Sequence, residues 1–405
     1  MEVVMVEQET GERLPMILGA DGLPDPAPNE WLLSRRGSST NTLLRNAREL
    51  AILVSWLEER RIDFVARIRS EWSFTEAELK GSLVERLRHS VKRPGEQSIC
   101  PDGAPKWKLE PVAAETFNQR LTTVNAFFSY SFDLELGQLS SKDPMYLRVQ
   151  EHKAHVNGIF ARSFVSDPGS STALVKDLED AQLASFKDIV SYRNPNAYGV
   201  NEHVRFRNYI CSMIMLRYGL RIGELLSLRL EDIVFGRISE ICVVRRPDDP
   251  RDTRRPRPKV KRLARQLPID EPNFAKELAE YIEVHREAMM EAGDADDHYY
   301  LIVSDEGAPL HLNSLAQYFR ILRARFPVSL PRTLSAHMLR HTFSTRTERQ
   351  LCTDGYSEEE RKKILAGLRG DSSLSSQDPY VRQEAIRRGQ KSLRTYHEEL
   401  LIPEF

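Results

Sequence analysis

The stretch YGLRIGELLSLRLEDI, residues 218–233, decides how the rest of the chain is read. An apolar helical run from Val204 to Tyr218 breaks at Gly219, and a second short helix is expected over Ile222–Leu230. Arg221 therefore stands at a helix start, where its guanidinium can leave the core and meet an anion. Glu224 lies three residues on, a helical spacing that lets it brace Arg221. Bracing matters because a bidentate guanidinium–phosphate contact needs fixed geometry.

Three further segments follow in the C-terminal direction. PKVKRLARQLPI, residues 258–269, reads as part of a hairpin, where a lysine can reach a phosphate and give a proton to a leaving oxygen. Lys261 is the first choice and Lys259 the second. In LSAHMLRHTFSTR, residues 334–346, His337 and Arg340 share a helix face, and His341 lies four beyond His337. An imidazole and a guanidinium projecting together suit a phosphate that needs both proton traffic and charge neutralisation. RGDSSLSSQDPYVRQ, residues 369–383, is serine-rich and reads as a mobile or tightly turned segment that delivers Tyr380.

In order and content these four segments resemble the catalytic domain of the tyrosine recombinases, or phage integrase family, over roughly residues 185–395. The family's GLRxxEL arginine falls on Arg221 and its glutamate on Glu224. The hairpin lysine falls on Lys261 or Lys259, and the HxLRH segment on His337, Leu339, Arg340 and His341. The GHxxxxxxxxY frame places Tyr380 as nucleophile and puts Asp371 where histidine or tryptophan normally stands. That is a departure, since an ionised carboxylate cannot donate to a phosphate and would repel one. The resemblance implies a DNA strand transferase working through a 3′-phosphotyrosine, without metal or ATP, on double-stranded DNA. It also implies a homo-oligomer on DNA, a tetrameric synapse, with accessory DNA-bending or recombination proteins as further candidates. The alternatives are an inactive or partner-activated DNA-binding protein of this fold, a type IB topoisomerase-like enzyme, or a helical protein-binding scaffold.

The implied fold is mainly α with a small antiparallel sheet in the catalytic domain. Residues 1–35, rich in Pro, Gly and acids, are expected to be a flexible arm. Helical periodicity over 42–59, 75–89, 114–130 and 147–160 predicts an all-helical domain at 36–190, resembling the family's core-binding DNA clamp. The catalytic domain is expected over 191–395 and a tail over 396–405. Strands are expected at Ile241–Val244, Leu263–Leu267 and Tyr299–Ser304.

A chain of 405 residues exceeds one ordinary core. Its 40% apolar and 29% charged residues are those of a globular protein. The start MEVVMVEQETGER is acidic rather than signal-like, and no apolar run has the length of a membrane helix, so the cytoplasm, near the nucleoid, is the default expectation. Cys100, Cys211, Cys242 and Cys352 form no CxxC pair, and no acidic pair or His/Cys cluster shows metal-site spacing. Net charge is only −1, yet residues 245–265 hold ten Arg or Lys against three Asp. Within them Arg254, Arg255, Arg257 and Arg262 are the candidates for phosphate contacts along a duplex.

Overall fold

The computed structural model describes residues 1–9, 12–19, 21–89, 111–166, 176–247, 249, 251–260, 262–293 and 298–399, with side chains to residue 394. The chain is mainly helical with small antiparallel sheets, and it divides into two units, Met1–Thr172 and Ala173–Phe405. The division lies earlier than the expected boundary near 190. The helix Asp180–Val190 buries Phe186, Ile189 and Val190 in the core of the second unit, so it belongs there.

In the first unit, residues 1–35 are not the flexible arm that their composition suggests. Glu2–Glu7 and Arg13–Leu18 pair antiparallel, with Val4 opposite Met16, and Pro26–Ser34 is a helix. Ile17 is fully buried, and the Asn29 side chain bonds both its N–H and its C=O at 2.8 Å. Trp31 and Leu32 continue into the core. Burying those large apolar groups offsets the entropy of ordering the segment.

The helix Thr40–Glu59 opens with Ser39 Oγ accepting from the Thr42 N–H, and Pro144–Ala161 opens with Asp143 accepting from the Met145 N–H. Ala114–Gln138 carries Phe117, Leu121, Val124, Phe127, Phe128 and Phe132 on its buried side. Phe128 meets Phe64, Phe74 and Phe160 edge-on at ring separations of 5.0–5.2 Å.

The second unit is organised around the helix Glu202–Tyr218, in which every residue from 206 to 215 is buried. A helix buried on all sides has to sit inside a layer of others. The sheet beside it orders its strands Ile233–Val234, Ser239–Val243 and Arg265–Ile269, all antiparallel, with Val243 opposite Arg265. The third strand is therefore Ile233–Val234 rather than Tyr299–Ser304. The latter makes only isolated bridges, Arg229 to Tyr300 and Val303 to Pro309, because Leu301, Ile302 and Val303 are all buried in the core and leave no alternating face. The helices Leu312–Arg325, Ala336–Thr353, Glu358–Arg369 and Asp378–Glu399 complete the unit. Among the described residues no helix is long and apolar enough to cross a membrane.

Candidate active site

Gly219 ends the Glu202–Tyr218 helix at φ +60°, and a Cβ there would come within 2.3 Å of the Phe343 ring. Both the left-handed backbone and the close approach require glycine. The chain then turns so that Arg221 caps the short helix Ile222–Leu225, and Glu224 accepts from the Arg221 N–H at 3.0 Å. Glu224 also accepts from Arg221 Nη1 at 3.0 Å, so the brace expected from the spacing is present. Gly223 lies against the next segment, where a Cβ would sit 3.1 Å from the Lys259 carbonyl oxygen. This brings the Lys259 backbone beside the Arg221 turn. Lys261 lies outside the described residues.

Glu224 is fully buried and serves more than one arginine. Arg265 Nη2 donates to it at 2.8 Å, and Arg340 Nη1 lies 3.9 Å away. Burial alone would raise the Glu224 carboxyl, but the bond and charge of Arg265, followed by Arg221, hold it below its ordinary range. Arg340 is 1% exposed; its Nη1 donates to the Gly219 carbonyl at 2.5 Å and its Nη2 to the Arg369 carbonyl at 3.0 Å. Burial and the positive charges of Arg369 and Arg221 press its guanidinium down to about 9, still charged at neutral pH. The Arg221 side chain keeps 28% of its surface open, so it presents the accessible edge of this cradle.

Tyr380 is not carried on a loose loop. It falls in the first turn of the helix Asp378–Glu399 and is 2% exposed. Its hydroxyl lies 2.7 Å from His341 Nδ1. Burial, then the charges of His337, Arg369 and Arg340, push the His341 imidazole down to about 4, so it is neutral at pH 7 and its Nδ1 can accept the phenolic proton. His337 packs edge-on against His341 at 4.1 Å and is held below its ordinary value by partial burial and by Arg340, Arg369 and Arg221. Of the two histidines, then, it is His341 that reaches Tyr380.

Asp371 is 5% exposed and engaged on both oxygens. Oδ1 accepts from Arg221 Nη2 and, at 3.2 Å, from Arg340 Nη2. Oδ2 accepts from Gln377 Nε2 at 3.1 Å and pairs with Arg369 Nε at 3.0 Å. Burial would raise this carboxyl, but Gln377, Arg369 and the two other arginines outweigh it and keep it below its usual range. The expected repulsion of a phosphate is thus met internally, by three guanidiniums.

Arg265, Arg369 and Gln377 escape a reading of the sequence motifs. The signal for Arg369 is its place two residues before Asp371, at the end of the Glu358–Arg369 helix; there it stacks on the Tyr380 ring at 4.6 Å. Arg265 gives no signal beyond its place on a strand, since its contact with Glu224 spans 41 residues.

The basic loop lies partly inside the second unit. Arg254, expected at a phosphate, is 1% exposed. Its Nε and Nη2 bind Asp252, its Nη1 binds the carbonyls of Leu226 and Leu310, and its plane lies 4.2 Å over Tyr300. Arg257 is also buried, with Nε on the Asp252 carbonyl. In this arrangement neither guanidinium faces outward. Arg255 and Arg262 are exposed, the latter within 3.0 Å of Ser372 Oγ.

Residues 185–352 match the model of the phage integrase family. A fragment of the Tn1549 transposon integrase, solved with transposon right-end DNA, superposes with a TM-score of 0.53 at 17% identity, covering 90% of this chain and 97% of that one. The same integrase solved with circular-intermediate DNA gives 0.52 at 18% identity, with coverages of 87% and 93%. At these identities the likeness is one of fold. A search of curated proteins finds no match.

Proposed function

Because this chain belongs to the tyrosine recombinase, or phage integrase, family, we propose that it is a site-specific recombinase that cuts and rejoins DNA through a 3′-phosphotyrosine on Tyr380. One observation carries the reading. A tyrosine hydroxyl rests 2.7 Å from a neutral imidazole, and Arg369, stacked on its ring, contacts the same carboxylate as Arg221 and Arg340.

In this reading Arg221 takes a non-bridging phosphate oxygen through its open edge, and Arg340 adds positive charge behind it. His341 Nδ1 accepts the phenolic proton while Tyr380 Oη bonds to phosphorus. The bond from phosphorus to the 5′ oxygen breaks, and that oxygen keeps the electron pair. It takes a proton from Lys261 or Lys259 and leaves as a 5′-hydroxyl. His337 assists proton traffic at the phosphate. A second 5′-hydroxyl then attacks the phosphotyrosine and regenerates the phenol. The number of phosphate ester bonds is unchanged, so rejoining needs no ATP. The first unit serves as the helical clamp on the duplex, and copies of the chain assemble on DNA as a tetrameric synapse.

Tyr380→Phe tests the assignment on nicked suicide duplexes. It abolishes the covalent adduct and keeps salt-sensitive DNA binding. Adduct surviving in that variant removes Tyr380 from its role. Plasmid relaxation without junction products favours topoisomerase-like chemistry. Burial of Tyr380 at 2% exposure supports a partner-activated variant of the same reading, in which adduct forms only on synapsed sites.

A further inference from the structure

Asp371 occupies the frame position where the resemblance calls for a donor, yet its surroundings are those of an acceptor. On one side Oδ1 joins Arg221 and Arg340, the pair proposed to hold the phosphate. On the other side Oδ2 has two contacts that both lead to Tyr380. Gln377 is fully buried and stands three residues before Tyr380, so its 3.1 Å bond closes the serine-rich turn at both ends and sets the turn's length. Arg369, paired at 3.0 Å, lies over the Tyr380 ring, and its Nη1 donates to Ser344 Oγ at 2.9 Å. Ser344 in turn donates to the Arg340 carbonyl at 2.8 Å. Four guanidiniums, of Arg221, Arg265, Arg340 and Arg369, surround two carboxylates, Glu224 and Asp371, so the cluster stays positive towards a phosphate.

We propose that Asp371 is a positioning residue that registers the nucleophile against the phosphate cradle, one oxygen holding Arg221 and Arg340 and the other holding Gln377 and Arg369 around Tyr380. The proposal rests on the recombinase reading for its consequence in catalysis. It predicts that restoring the missing imidazole is harmful. Asp371→His replaces the carboxylate among three guanidiniums with a ring that has at most one acceptor nitrogen, so it cannot hold Gln377 and the arginines together.

The test has two independent arms. In the first, single-turnover adduct formation on suicide duplexes is compared with duplex affinity in the same buffer. Asp371→Asn keeps one acceptor oxygen and sets an amide N–H₂ against donors. It lowers the adduct rate by about 100-fold, the scale on which a misplacement of about 1 Å acts, and changes affinity by only a few-fold. Asp371→His falls similarly. The double variant D371N/Q377E reverses the donor and acceptor and regains about tenfold. The second arm needs no DNA. Nitration by tetranitromethane, read by peptide mass, finds Tyr380 protected in the wild type and modified in D371N and R369Q.

Wild-type adduct rate and wild-type nitration in D371N overturn the proposal, as does a rise in cleavage for D371H. If the wild type forms no adduct, the recombinase reading fails while nitration still decides whether Asp371 holds Tyr380. Should D371N fail to fold, shown by the loss of its thermal transition, Q377A and R369K carry both arms. The expected losses are then about tenfold.

Discussion

Two arginine-rich regions of the second unit look alike in composition and differ in construction. Around Glu224 and Asp371, Arg221, Arg265, Arg340 and Arg369 come from four separate elements and converge. In residues 245–262 the arginines are neighbours in sequence, and several are spent on local acids. Arg254 pairs with Asp252, Arg246 with Asp232 and Glu231, and Arg251 with Asp249. A count of basic residues cannot separate the two cases. What separates them is where the nearest carboxylates lie: dispersed arginines sharing buried acids leave an edge open, whereas arginines two residues from an aspartate fold back on it.

The strongest way to break this contrast is Arg254→Ala. If the residue is internal scaffolding, its loss leaves Asp252 buried without its partner and costs about 3–5 kcal/mol. Urea titration reads this as a lower midpoint with an unchanged slope. A stability within 1 kcal/mol of wild type, with weakened DNA binding, returns Arg254 to the phosphate-contact set. Arg221→Ala is its counterpart in the cradle. Its side chain is partly open, so stability changes little, while adduct formation falls by about 100- to 1,000-fold, the range for losing one donor to developing charge. A large loss of stability with no kinetic defect exchanges the roles of the two regions.

Acid acts on the cradle in a sense fixed by its histidines. His341 titrates near 4 in the folded protein against about 6.5 unfolded, and His337 is shifted the same way. At pH 7 neither state holds the extra proton. As pH falls from 6.5 towards 4 the unfolded chain takes it up first, so this contribution to stability is lost over that window. Tm measured at pH 7, 5.5 and 4.5 falls, and falls less steeply in His341→Gln. Equal slopes detach His341 from the buried cluster. The carboxylates of Glu224 and Asp371, held below their ordinary values, add a further loss only at lower pH.

Much of this architecture was written locally. Apolar spacing, with the break at Gly219, marks Thr40–Glu59, Pro144–Ala161 and Glu202–Tyr218 within a few residues of their observed ends, whereas Ala114–Gln138 runs eight residues past the expected 130. The segments around Arg221, Arg340 and Tyr380 announced their residues because each motif is contiguous. Long-range pairing was not legible. The Arg265 bond to Glu224, the Gln377 bond to Asp371, and the choice of His341 over His337 as partner of Tyr380 depend on which elements pack together. The N-terminal hairpin was hidden for another reason, since its apolar runs at 3–6 and 14–18 are short and stand among Pro, Gly and acidic residues.

The smallest effect concerns what remains of the basic loop as a DNA surface. Arg262 is exposed and, among the described residues, bonded to a serine hydroxyl, Ser372, in the turn that follows Asp371. A guanidinium so placed gives up little on moving to a phosphate, and it stands at the approach to Tyr380 rather than far along the duplex. Arg262→Ala therefore leaves Tm unchanged within error, weakens binding to all duplex sequences alike, and lowers the slope of log affinity against log salt by about 1. The same substitution at Arg257, which is buried on the Asp252 carbonyl, leaves the salt slope alone and lowers stability instead. If both variants shift the salt slope equally, burial does not sort this loop, and its arginines must rearrange when DNA binds.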